Sequence, residues 1–361
     1  MTELPRPRDD LAGQKAYATQ QLPGADVRLQ ANEWTEPNPA GKWLTSEELG
    51  SVLLNRYPGG GPSGEVRAAI AKQHGVEPEQ IILGNGSNEL LFSTFIVFGG
   101  HGRTTLLFHP TYAMHGRLTT LAGGTVAVEK VGLPYDLRAD RALAAMERVR
   151  PHVVAFTSPN NPTGNTIPDD VVLTVAARYP RTLVLLDEAY ADLAGRSLIP
   201  AVAAYANVVV AKTFSKVRAA AGLRLGYLIA HPELAEVYRA AQLPYSISAV
   251  TYAIALKMLR EDGDIAGRVE RCRVERERVI AALSRVPGVS VYPSVTNFVL
   301  FRVHDGDTAR VHARFLEEGV LIRDVSMWPG CEGCLRASIG TAGETDRFIA
   351  ALAHAFAPAV A

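Results

Sequence analysis

Short apolar runs, rich in β-branched residues, alternate with helical patterns between about residues 49 and 245. The runs are Ile81–Leu83, Thr105–Phe108, Thr125–Val128, Val153–Phe156, Leu183–Leu186, Val208–Val210 and Gly226–Ile229. Runs of this kind are typical of strands that are buried on both faces, with helices between them. The pattern therefore predicts an α/β fold whose large domain contains a mostly parallel, seven-stranded sheet.

The pattern changes after about residue 245. Long helical patterns follow, and the later apolar runs are Asn297–Arg302, Val320–Arg323 and Leu335–Ile339. This mixture predicts a smaller α+β domain. Residues 1–48 are rich in proline, glutamine and polar groups, which predicts an arm without a core of its own. The predicted division is an arm over 1–48 that contributes to the small domain, a large domain over 49–245 and a small domain over 246–361.

Polar motifs follow the carboxyl ends of the predicted strands. They are Gly84–Glu89, Pro110–Tyr112, Ser158–Gly164, Asp187–Tyr190 and Thr213–Lys216. In an open α/β sheet, the ligand crevice lies outside these ends. Segments that are far apart in the chain are therefore predicted to meet in one cleft.

Lys216, Asp187 and two further side chains predict the chemistry of that cleft. A lysine amine buried beside a cationic ring forms an imine with an aldehyde, and the released amine then transfers protons. Asp187 follows two leucines, and a buried carboxylate needs a cationic partner such as a protonated pyridine nitrogen. Tyr190 and Asn161 can donate hydrogen bonds to a phenolic oxygen on the same ring. Together these groups meet the requirements of pyridoxal phosphate (PLP).

A glycine-rich turn provides the predicted phosphate site, because glycines before a helix expose backbone N–H groups to an anion. The groups assigned to the cofactor phosphate are the amides of Gly86, Ser87 and Asn88 and the side chains of Thr213, Ser215 and Arg224. Tyr112 is interpreted as the ring that stacks on the pyridine. A second glycine-rich segment, Gly59–Gly64, lacks the lysine of a nucleotide-binding loop and is interpreted as a flexible connection.

Two arginines, Arg336 and Arg323, lie in late apolar runs. A charged side chain in an apolar strand needs a partner, and a planar guanidinium fits a substrate carboxylate or phosphate. Structural ion pairs are the alternative for both arginines. Taken singly, the other motifs also fit structural roles, such as a helix N-cap for Asp187 and a core aromatic for Tyr112.

Composition narrows the class of protein. The 361 residues carry zero net charge, which favours neither nucleic acid nor an acidic membrane surface as a partner. The N-terminus lacks the apolar core of a signal peptide, and no apolar run approaches the ~18 residues of a membrane span. Three cysteines argue against a secreted disulfide framework. We therefore expect a soluble cytoplasmic protein.

The three cysteines are interpreted as structural residues without a chemical role. Cys331 and Cys334 form a lone Cys-x-x-Cys, which suits a redox pair or half of a zinc site. Because neither a second such pair nor a clustered histidine pair accompanies them, we interpret them as two loop cysteines and predict no metal site. Cys272 lies in a helical pattern with Ile265, Val269, Val279 and Leu283, and the arginines and glutamates between these positions predict a solvated face with internal ion pairs.

Over nearly its whole length the chain resembles the fold-type-I, class I/II PLP-dependent aminotransferases, and it is most similar to the histidinol-phosphate aminotransferases. The motifs that carry this resemblance are Asn55–Pro58, Gly84–Glu89, Pro110–Tyr112, Pro159–Gly164, Asp187–Tyr190, Thr213–Lys216, Gly222–Tyr227, Thr296–Phe298, Gly319–Asp324, Leu335–Arg336 and Gly340–Thr341. The lysine, aspartate and asparagine motifs are specific to the superfamily. The stretch from Gly319 to Thr341 is the part most similar to the histidinol-phosphate branch.

The resemblance implies three catalytic residues, of which Lys216 forms the imine, Asp187 pairs with the ring nitrogen and Tyr190 holds the phenolic oxygen together with Asn161. Tyr57 would reach the cofactor phosphate in the other subunit, which implies a homodimer with shared active sites. The implied reaction is transamination between histidinol phosphate and 2-oxoglutarate in histidine biosynthesis.

The substrate-binding residues implied by the resemblance are Arg336, Arg323, Asn161 and Tyr17. The two arginines would bind the phosphate of histidinol phosphate and, in the other half-reaction, a carboxylate of glutamate. Tyr17, in the arm, would close over the substrate.

The chain departs from the family pattern at Trp34, Asn88, Arg218 and Ala219–Ala221. Trp34 and Arg218 either reshape the substrate pocket or leave it unaffected. An aromatic or specialised-metabolism aminotransferase is therefore the alternative with the same chemistry. A second alternative is an amino-acid-phosphate decarboxylase. A PLP-binding regulator is disfavoured, because residues 1–48 are too short and not basic enough for a DNA-binding module.

Overall fold

The computed structural model describes residues 8–11 and 24–357. Tyr17, the predicted lid residue, lies outside the described residues. The strands are β1 (Val27–Arg28), β2 (Ile81–Gly84), β3 (Thr104–His109), β4 (Thr125–Lys130), β5 (Val153–Thr157), β6 (Leu183–Asp187), β7 (Val208–Thr213), β8 (Gly226–Ile229), β9 (Val289–Val291), β10 (Phe298–Val303), β11 (Val320–Leu321), β12 (Arg323–Asp324) and β13 (Cys334–Ser338).

The α-helices among these residues are α1 (Ser46–Ser51), α2 (Gly60–His74), α3 (Ser87–Phe98), α4 (Ala113–Leu121), α5 (Ala139–Val149), α6 (Asp169–Arg178), α7 (Ala191–Ala194), α8 (Ala201–Ala204), α9 (Pro232–Ala241), α10 (Ala249–Glu261), α11 (Ile265–Leu283), α12 (Thr308–Glu317) and α13 (Ala342–Ala355). Short 3₁₀ turns lie at Asp9–Leu11, Ala40–Lys42, Pro78–Gln80 and Ala221–Leu223.

Seven strands form the large sheet, in the order β2-β8-β7-β6-β5-β3-β4. β8 is antiparallel to both of its neighbours, and the other adjacent pairs are parallel. The seven apolar runs of the sequence are these seven strands, which confirms the mostly parallel sheet. Because β2, β3, β5, β6 and β7 run in one direction, the motifs that follow them lie along one edge.

Both faces of the large sheet are buried. In β5, Val154 and Phe156 belong to one core, and Val153 and Ala155 belong to the core on the opposite face. All four side chains are at most 1% exposed. Successive strand residues point to opposite faces, so burial on both sides explains why the apolar runs are continuous rather than alternating.

A separate core, called the second core below, lies around the four-stranded antiparallel sheet β12-β13-β10-β9, apart from the cores on the two faces of the large sheet. Helices α11, α12 and α13 contribute Cys272, Val311 and Phe348 to it. From the predicted arm, β1 pairs in parallel with β11, and Val27 and Leu29 are buried in this core. The predicted smaller α+β unit is therefore present, with the arm built into it.

The exact domain boundaries stay a prediction. Helix α10 buries Tyr252, Ala255 and Met258 in the core of the large sheet, although the predicted boundary at 246 assigns this helix to the small domain. Helix α11 packs on the second core instead. We therefore propose that the boundary lies in the connection over residues 262–264.

The interpretation of Gly59–Gly64 as a flexible connection is wrong, because Gly60–Gly64 form the start of α2. Gly59 is the N-cap, and Pro62 lies in the first turn, where a missing N–H removes no intrahelical hydrogen bond. Val66 and Ile70 are fully buried. Burial of this apolar face outweighs the low helix propensity of the glycines.

The three cysteines are buried and free, and the interpretation of Cys331 and Cys334 as two loop cysteines is wrong for Cys334, which begins β13. Burial raises the pKa of the Cys331 and Cys334 thiols. Within the described part of the chain, no cluster of three or more His, Cys, Asp or Glu side chains is arranged to hold a metal ion. On α11 the exposed face carries the predicted pairs, such as Arg273 with Glu270 and Glu277.

No helix within residues 8–11 and 24–357 combines the length and the apolar character needed to cross a membrane.

Candidate active site

One cavity of about 400 Å³ lies at the carboxyl edge of the large sheet. The predicted site residues in its wall are Ser87, Asn88, Tyr112, Asn161, Asp187, Tyr190, Thr213, Ser215, Lys216, Arg224, Arg323 and Arg336. They lie at the carboxyl ends of β6 and β7, on the loops and helix starts that follow strands of the large sheet, and on β12 and β13 of the second sheet. The predicted convergence of distant segments is therefore present in the structure.

Lys216 projects from the loop after β7. Its amine donates a hydrogen bond to the backbone carbonyl of Asn32 at 3.0 Å and lies 5.4 Å from the centre of the Tyr190 ring. The loop is closed by the Ala219 N–H, which donates to the Lys216 carbonyl at 2.8 Å. The amine is therefore held in the cavity beside polar and aromatic groups.

Asp187 ends β6 and is 3% exposed. Its Oδ2 accepts a hydrogen bond from Nε2 of His115 at 3.1 Å, and its Oδ1 accepts from the Ala189 N–H at 3.1 Å. His115 lies on α4 and is fully buried. These two donors hold the carboxylate in one orientation, which prepares it for a cationic group in the cavity.

Asn32, from the predicted arm, connects several of these groups. Its Nδ2 donates to the Tyr190 hydroxyl at 2.9 Å, and its backbone N–H donates to Oγ of Ser338 at 2.8 Å. Its carbonyl accepts from Lys216 and, at 3.1 Å, from Asn297. Asn32 has φ 53°, a left-handed conformation that asparagine adopts more readily than most residues. It therefore orients both Tyr190 and Lys216.

The start of α3 forms the predicted anion turn. Gly86 is the N-cap at φ 76°, ψ 160°, and no side chain caps the helix. A Cβ at this position would lie within 3 Å of the Arg224 guanidinium, so only glycine allows the arginine to approach the turn. A Cβ added to Gly226 would likewise lie within 3 Å of the Ser87 backbone nitrogen, which is too close for two atoms that are not bonded. The first N–H groups of α3 and a guanidinium therefore converge, as an anion requires.

Four further side chains line the cavity beside this turn. Oγ1 of Thr213 donates to Oγ of Ser215 at 2.9 Å, and the Ser215 N–H donates to Oγ1 of Thr213 at 3.1 Å. The Tyr112 hydroxyl donates to Oδ1 of Asn88 at 3.1 Å. The asparagine that departs from the family pattern thus still presents an oxygen to Tyr112.

Arg336 also lines the cavity and is 5% exposed. Its Nη1 donates to Oδ1 of Asn161 at 2.6 Å, and its Nη2 donates to the Gln30 carbonyl at 2.8 Å. The guanidinium also lies 5.3 Å from the centre of the Phe298 ring. These contacts fix the guanidinium before any substrate binds, and they leave the Asn161 amide NH₂ as that side chain's donor. Arg323 lies opposite Arg336 in the register of the antiparallel strands β12 and β13.

Lys212 and Glu188, the chain neighbours of Thr213 and Asp187, are buried and form an ion cluster with the partly exposed Asp192. Nζ of Lys212 lies 2.7 Å from Oδ1 of Asp192 and 3.8 Å from Oε2 of Glu188. Burial raises the pKa of Glu188. Glu188 follows the cavity residue Asp187, and Lys212 precedes the cavity residue Thr213. The attraction between Lys212 and Glu188 therefore holds the ends of β6 and β7 together beside the cavity.

Tyr57 is not in the cavity of its own chain. It is 77% exposed and stacks on Tyr245, with ring centres 4.5 Å apart. Its predicted role concerns the other subunit and is not tested by a single chain.

Trp34 and Arg218 do not line the candidate active-site cavity. Trp34 lines a separate cavity of about 320 Å³ with Arg271. The Arg218 guanidinium donates to Oε1 of Gln73 at 2.7 Å and lies over the Phe214 ring. Neither departure from the family pattern therefore changes the wall of the candidate site directly.

Sequence reasoning missed the site roles of His115, Asn32, Gln30, Trp328 and Arg28. His115 gave a weak signal, as a histidine three residues after Tyr112 on an otherwise apolar helix start. The signal at Asn32 is only its position two residues before Trp34, where the chain departs from the family pattern. Arg28 alternates with Val27 and Leu29, a pattern that reveals the exposed face of a strand but not which cavity it faces.

The residues present fit PLP. Asp187, oriented by His115, suits a pyridinium nitrogen, and the amine of Lys216 suits an aldehyde. Tyr190 and the NH₂ of Asn161 are donors for a phenolic oxygen. The anion turn at Gly86 suits a phosphate.

Comparison with known proteins agrees with this chemistry. Residues 19–352 match the profile of the family described as aminotransferase class I and II. The chain belongs to this aminotransferase family. The aminotransferase is 40% identical over 360 residues to the histidinol-phosphate aminotransferase of Thermobifida fusca, covering 96% of this chain and 94% of that protein. It is 39% identical over 373 residues to the enzyme of the same name from Corynebacterium glutamicum, covering 98% and 97%.

A solved structure supports the fold assignment. The histidinol-phosphate aminotransferase of Sinorhizobium meliloti, in complex with pyridoxal-5'-phosphate, superimposes with a TM-score of 0.83 at 24% identity, covering 92% of this aminotransferase and 91% of that chain. The predicted PLP-dependent transferase fold type I and the predicted aminotransferase class are both confirmed.

Proposed function

We propose that this aminotransferase transfers the amino group of histidinol phosphate to 2-oxoglutarate, as a step of histidine biosynthesis, with PLP as its cofactor. The observation that carries the proposal is a single cavity lined both by Lys216 and by the two arginines Arg323 and Arg336. This arrangement provides an amine for imine chemistry and two guanidinium groups for an anionic part of the substrate in the same cavity. The names of the relatives at 39–40% identity support the same substrate.

Bound PLP supplies an aldehyde for imine formation and a ring that accepts electrons. Lys216 would hold the cofactor through its amine, and that amine, when free, would serve as the proton carrier beside the substrate. Asp187 keeps the ring nitrogen protonated, and His115 keeps the carboxylate in place for that task. Tyr190 and Asn161 hold the phenolic oxygen, and Asn32 orients Tyr190.

The cofactor phosphate binds at the anion turn, for which the amides of Gly86, Ser87 and Asn88 and the side chains of Thr213, Ser215 and Arg224 are the proposed donors. Tyr112 stacks on the ring. Arg336 and Arg323 bind the phosphate of histidinol phosphate in one half-reaction and a glutamate carboxylate in the other. The role predicted for Tyr17 stays a prediction, because this residue lies outside the described part of the chain.

The working form is a homodimer with shared active sites. The exposed large apolar side chains include Leu49, Leu53, Leu54, Tyr57, Leu243 and Tyr245, and the rings of Tyr57 and Tyr245 stack on each other. Exposed apolar groups of this size are typical of protein interfaces. Tyr57 would then reach the cofactor phosphate of the partner. Three free, buried cysteines suit a reducing compartment, so we place the enzyme in the cytoplasm.

A half-reaction titration tests the substrate. The cofactor-loaded enzyme is mixed with histidinol phosphate, histidine, phenylalanine or ornithine in the absence of a 2-oxo acid, and the visible absorbance of the cofactor is followed. Rapid loss of the visible band with micromolar histidinol phosphate alone is expected. A strong preference for phenylalanine would assign the chain to the aromatic aminotransferases. Release of CO₂ without a 2-oxo acid would instead indicate a decarboxylase.

A further inference from the structure

Arg28 lies on β1 and projects from the face opposite to the second core. Its neighbours Val27 and Leu29 are 4% and 1% exposed, whereas Arg28 itself is exposed. Side chains alternate along a strand, and on this face Arg28 and Gln30 line the active-site cavity. An arginine thus stands at the rim of the cavity, on a strand whose other face is locked in the core.

Pairing with β11 places Arg28 near Arg323. In the parallel register Arg28 lies opposite Leu321, and Arg323 follows two residues later along the same segment. Both arginines line the same cavity. Arg28 is positioned by backbone hydrogen bonds between β1 and β11, such as that from the Leu29 N–H to the Leu321 carbonyl at 2.7 Å, and Arg323 is positioned by the pairing of β12 with β13.

Neither Arg28 nor Arg323 has an ion-pair or hydrogen-bond partner for its guanidinium in the described part of the chain. Arg336 differs, because Asn161 and Gln30 already hold it. Two cations that face one cavity repel each other, and a ligand with two negative charges removes that repulsion. A phosphate monoester carries nearly two charges at neutral pH and offers three acceptor oxygens, whereas a carboxylate carries one charge.

We propose that Arg28 is a specificity-determining residue, which together with Arg323 binds the phosphate-monoester end of the amino donor. The proposal rests on the proposed function. It adds a residue that makes the enzyme prefer phosphorylated amines to unphosphorylated amines. Arg336 keeps the role proposed above. From its buried position it binds a carboxylate in one half-reaction and the phosphate end of the amino donor in the other. Arg28 contacts the distal anion only, so it contributes to binding and leaves the chemical step unchanged.

The test compares Arg28→Gln with the wild-type holoenzyme on histidinol phosphate and on histidinol. We expect Arg28→Gln to lower the preference for the phosphorylated amine, measured as the ratio of kcat/KM values, by about tenfold, between the effect of an exposed ion pair and that of a charge-assisted hydrogen bond. The change lies in KM, with kcat for the phosphorylated amine nearly unchanged. Arg285→Gln is the matched control, because Arg285 is also exposed but lies outside the cavity, and it leaves the ratio unchanged.

A binding measurement separates this inference from the proposed function. Methyl phosphate is titrated calorimetrically into both holoenzymes at fixed ionic strength, and Arg28→Gln is expected to bind it about tenfold more weakly. An unchanged affinity for methyl phosphate, or an equal loss of kcat/KM for both amines, overturns the role of Arg28. A wild-type enzyme that does not prefer histidinol phosphate contradicts the proposed function, and the methyl phosphate affinity then decides the role of Arg28 by itself.

Discussion

At the scale of single residues, the candidate site depends on side chains that are oriented before a ligand arrives. Asp187 is held by His115 and by the Ala189 N–H, and Arg336 is held by Asn161 and Gln30. Fixed dipoles of this kind stabilise charge without reorganisation during the reaction. The most direct tests therefore replace individual side chains.

Lys216→Ala is expected to abolish turnover, with a loss of at least about 10³-fold in kcat, because the imine-forming amine and proton carrier is removed. The purified variant should also lose the visible absorbance of a lysine-bound cofactor. Lys257→Ala is the control, since Lys257 pairs with Glu48 and Glu261 outside the cavity. Wild-type absorbance and turnover in Lys216→Ala would refute the assigned role.

His74 provides a pH-dependent test of stability. Burial lowers the pKa of His74 from 6.5 to about 4, and its Nε2 lies 2.8 Å from the Tyr227 hydroxyl. The unfolded chain therefore binds more protons than the folded chain between these values, so the contribution of His74 is lost as the pH falls from 6.5 towards 4. We expect the Tm of His74→Gln to fall less steeply than that of the wild type over this window. Parallel Tm profiles would contradict the assignment.

At the scale of elements, the start of α3 and the strand β8 form one unit around the Arg224 guanidinium. Gly86 and Gly226 allow the backbone of one element to approach the other, and no side chain caps the helix. The helix start is thus left open for an anion, at a cost in local helix stability that a bound phosphate offsets.

Gly86→Ala is expected to weaken cofactor binding strongly and to reduce stability by about 1–3 kcal/mol, because φ 76°, ψ 160° is a region that only glycine occupies readily. The new Cβ would also displace Arg224. Gly75→Ala is the matched control, as Gly75 also has positive φ but a Cβ added there would meet no atom within 4 Å. Cofactor titration and denaturant unfolding measure both effects. Equal cofactor affinity in the two variants would count against the anion turn.

At the scale of the whole molecule, the active site combines elements that lie far apart in the chain. The large sheet supplies the cofactor groups, the second sheet supplies Arg323 and Arg336, and the arm supplies Asn32 and Arg28. Tyr57 lies outside the cavity of its own chain, within the exposed apolar surface that we assign to the dimer.

Mixed dimers test whether the sites are shared. Tyr57→Ala and Lys216→Ala subunits are unfolded together, refolded in equal amounts and assayed. If Tyr57 serves the partner, each hybrid has one doubly damaged site and one intact site, so about a quarter of the wild-type activity should return with random pairing. No gain over the separate variants would show that each subunit uses its own Tyr57 or that the subunits do not pair.

The amino-acid sequence by itself determined the seven strands of the large sheet, since burial on both faces leaves continuous apolar runs. It also determined the position of Lys216, Asp187 and the glycine-rich turn, because parallel strands carry the segments that follow them to one edge. The helix start at Gly60–Gly64 was predicted wrongly, as burial of Val66 and Ile70 outweighs local propensity.

Only the tertiary structure decided the contacts that join separate segments. His115 meets Asp187 across 72 residues, and Asn32 meets Tyr190 across 158 residues. No local pattern records such a pairing, because it depends on how helices and the arm pack on the finished sheet. The same holds for Arg28, whose place at the cavity rim follows from the register of β1 with β11. Packing, rather than propensity, completes the site.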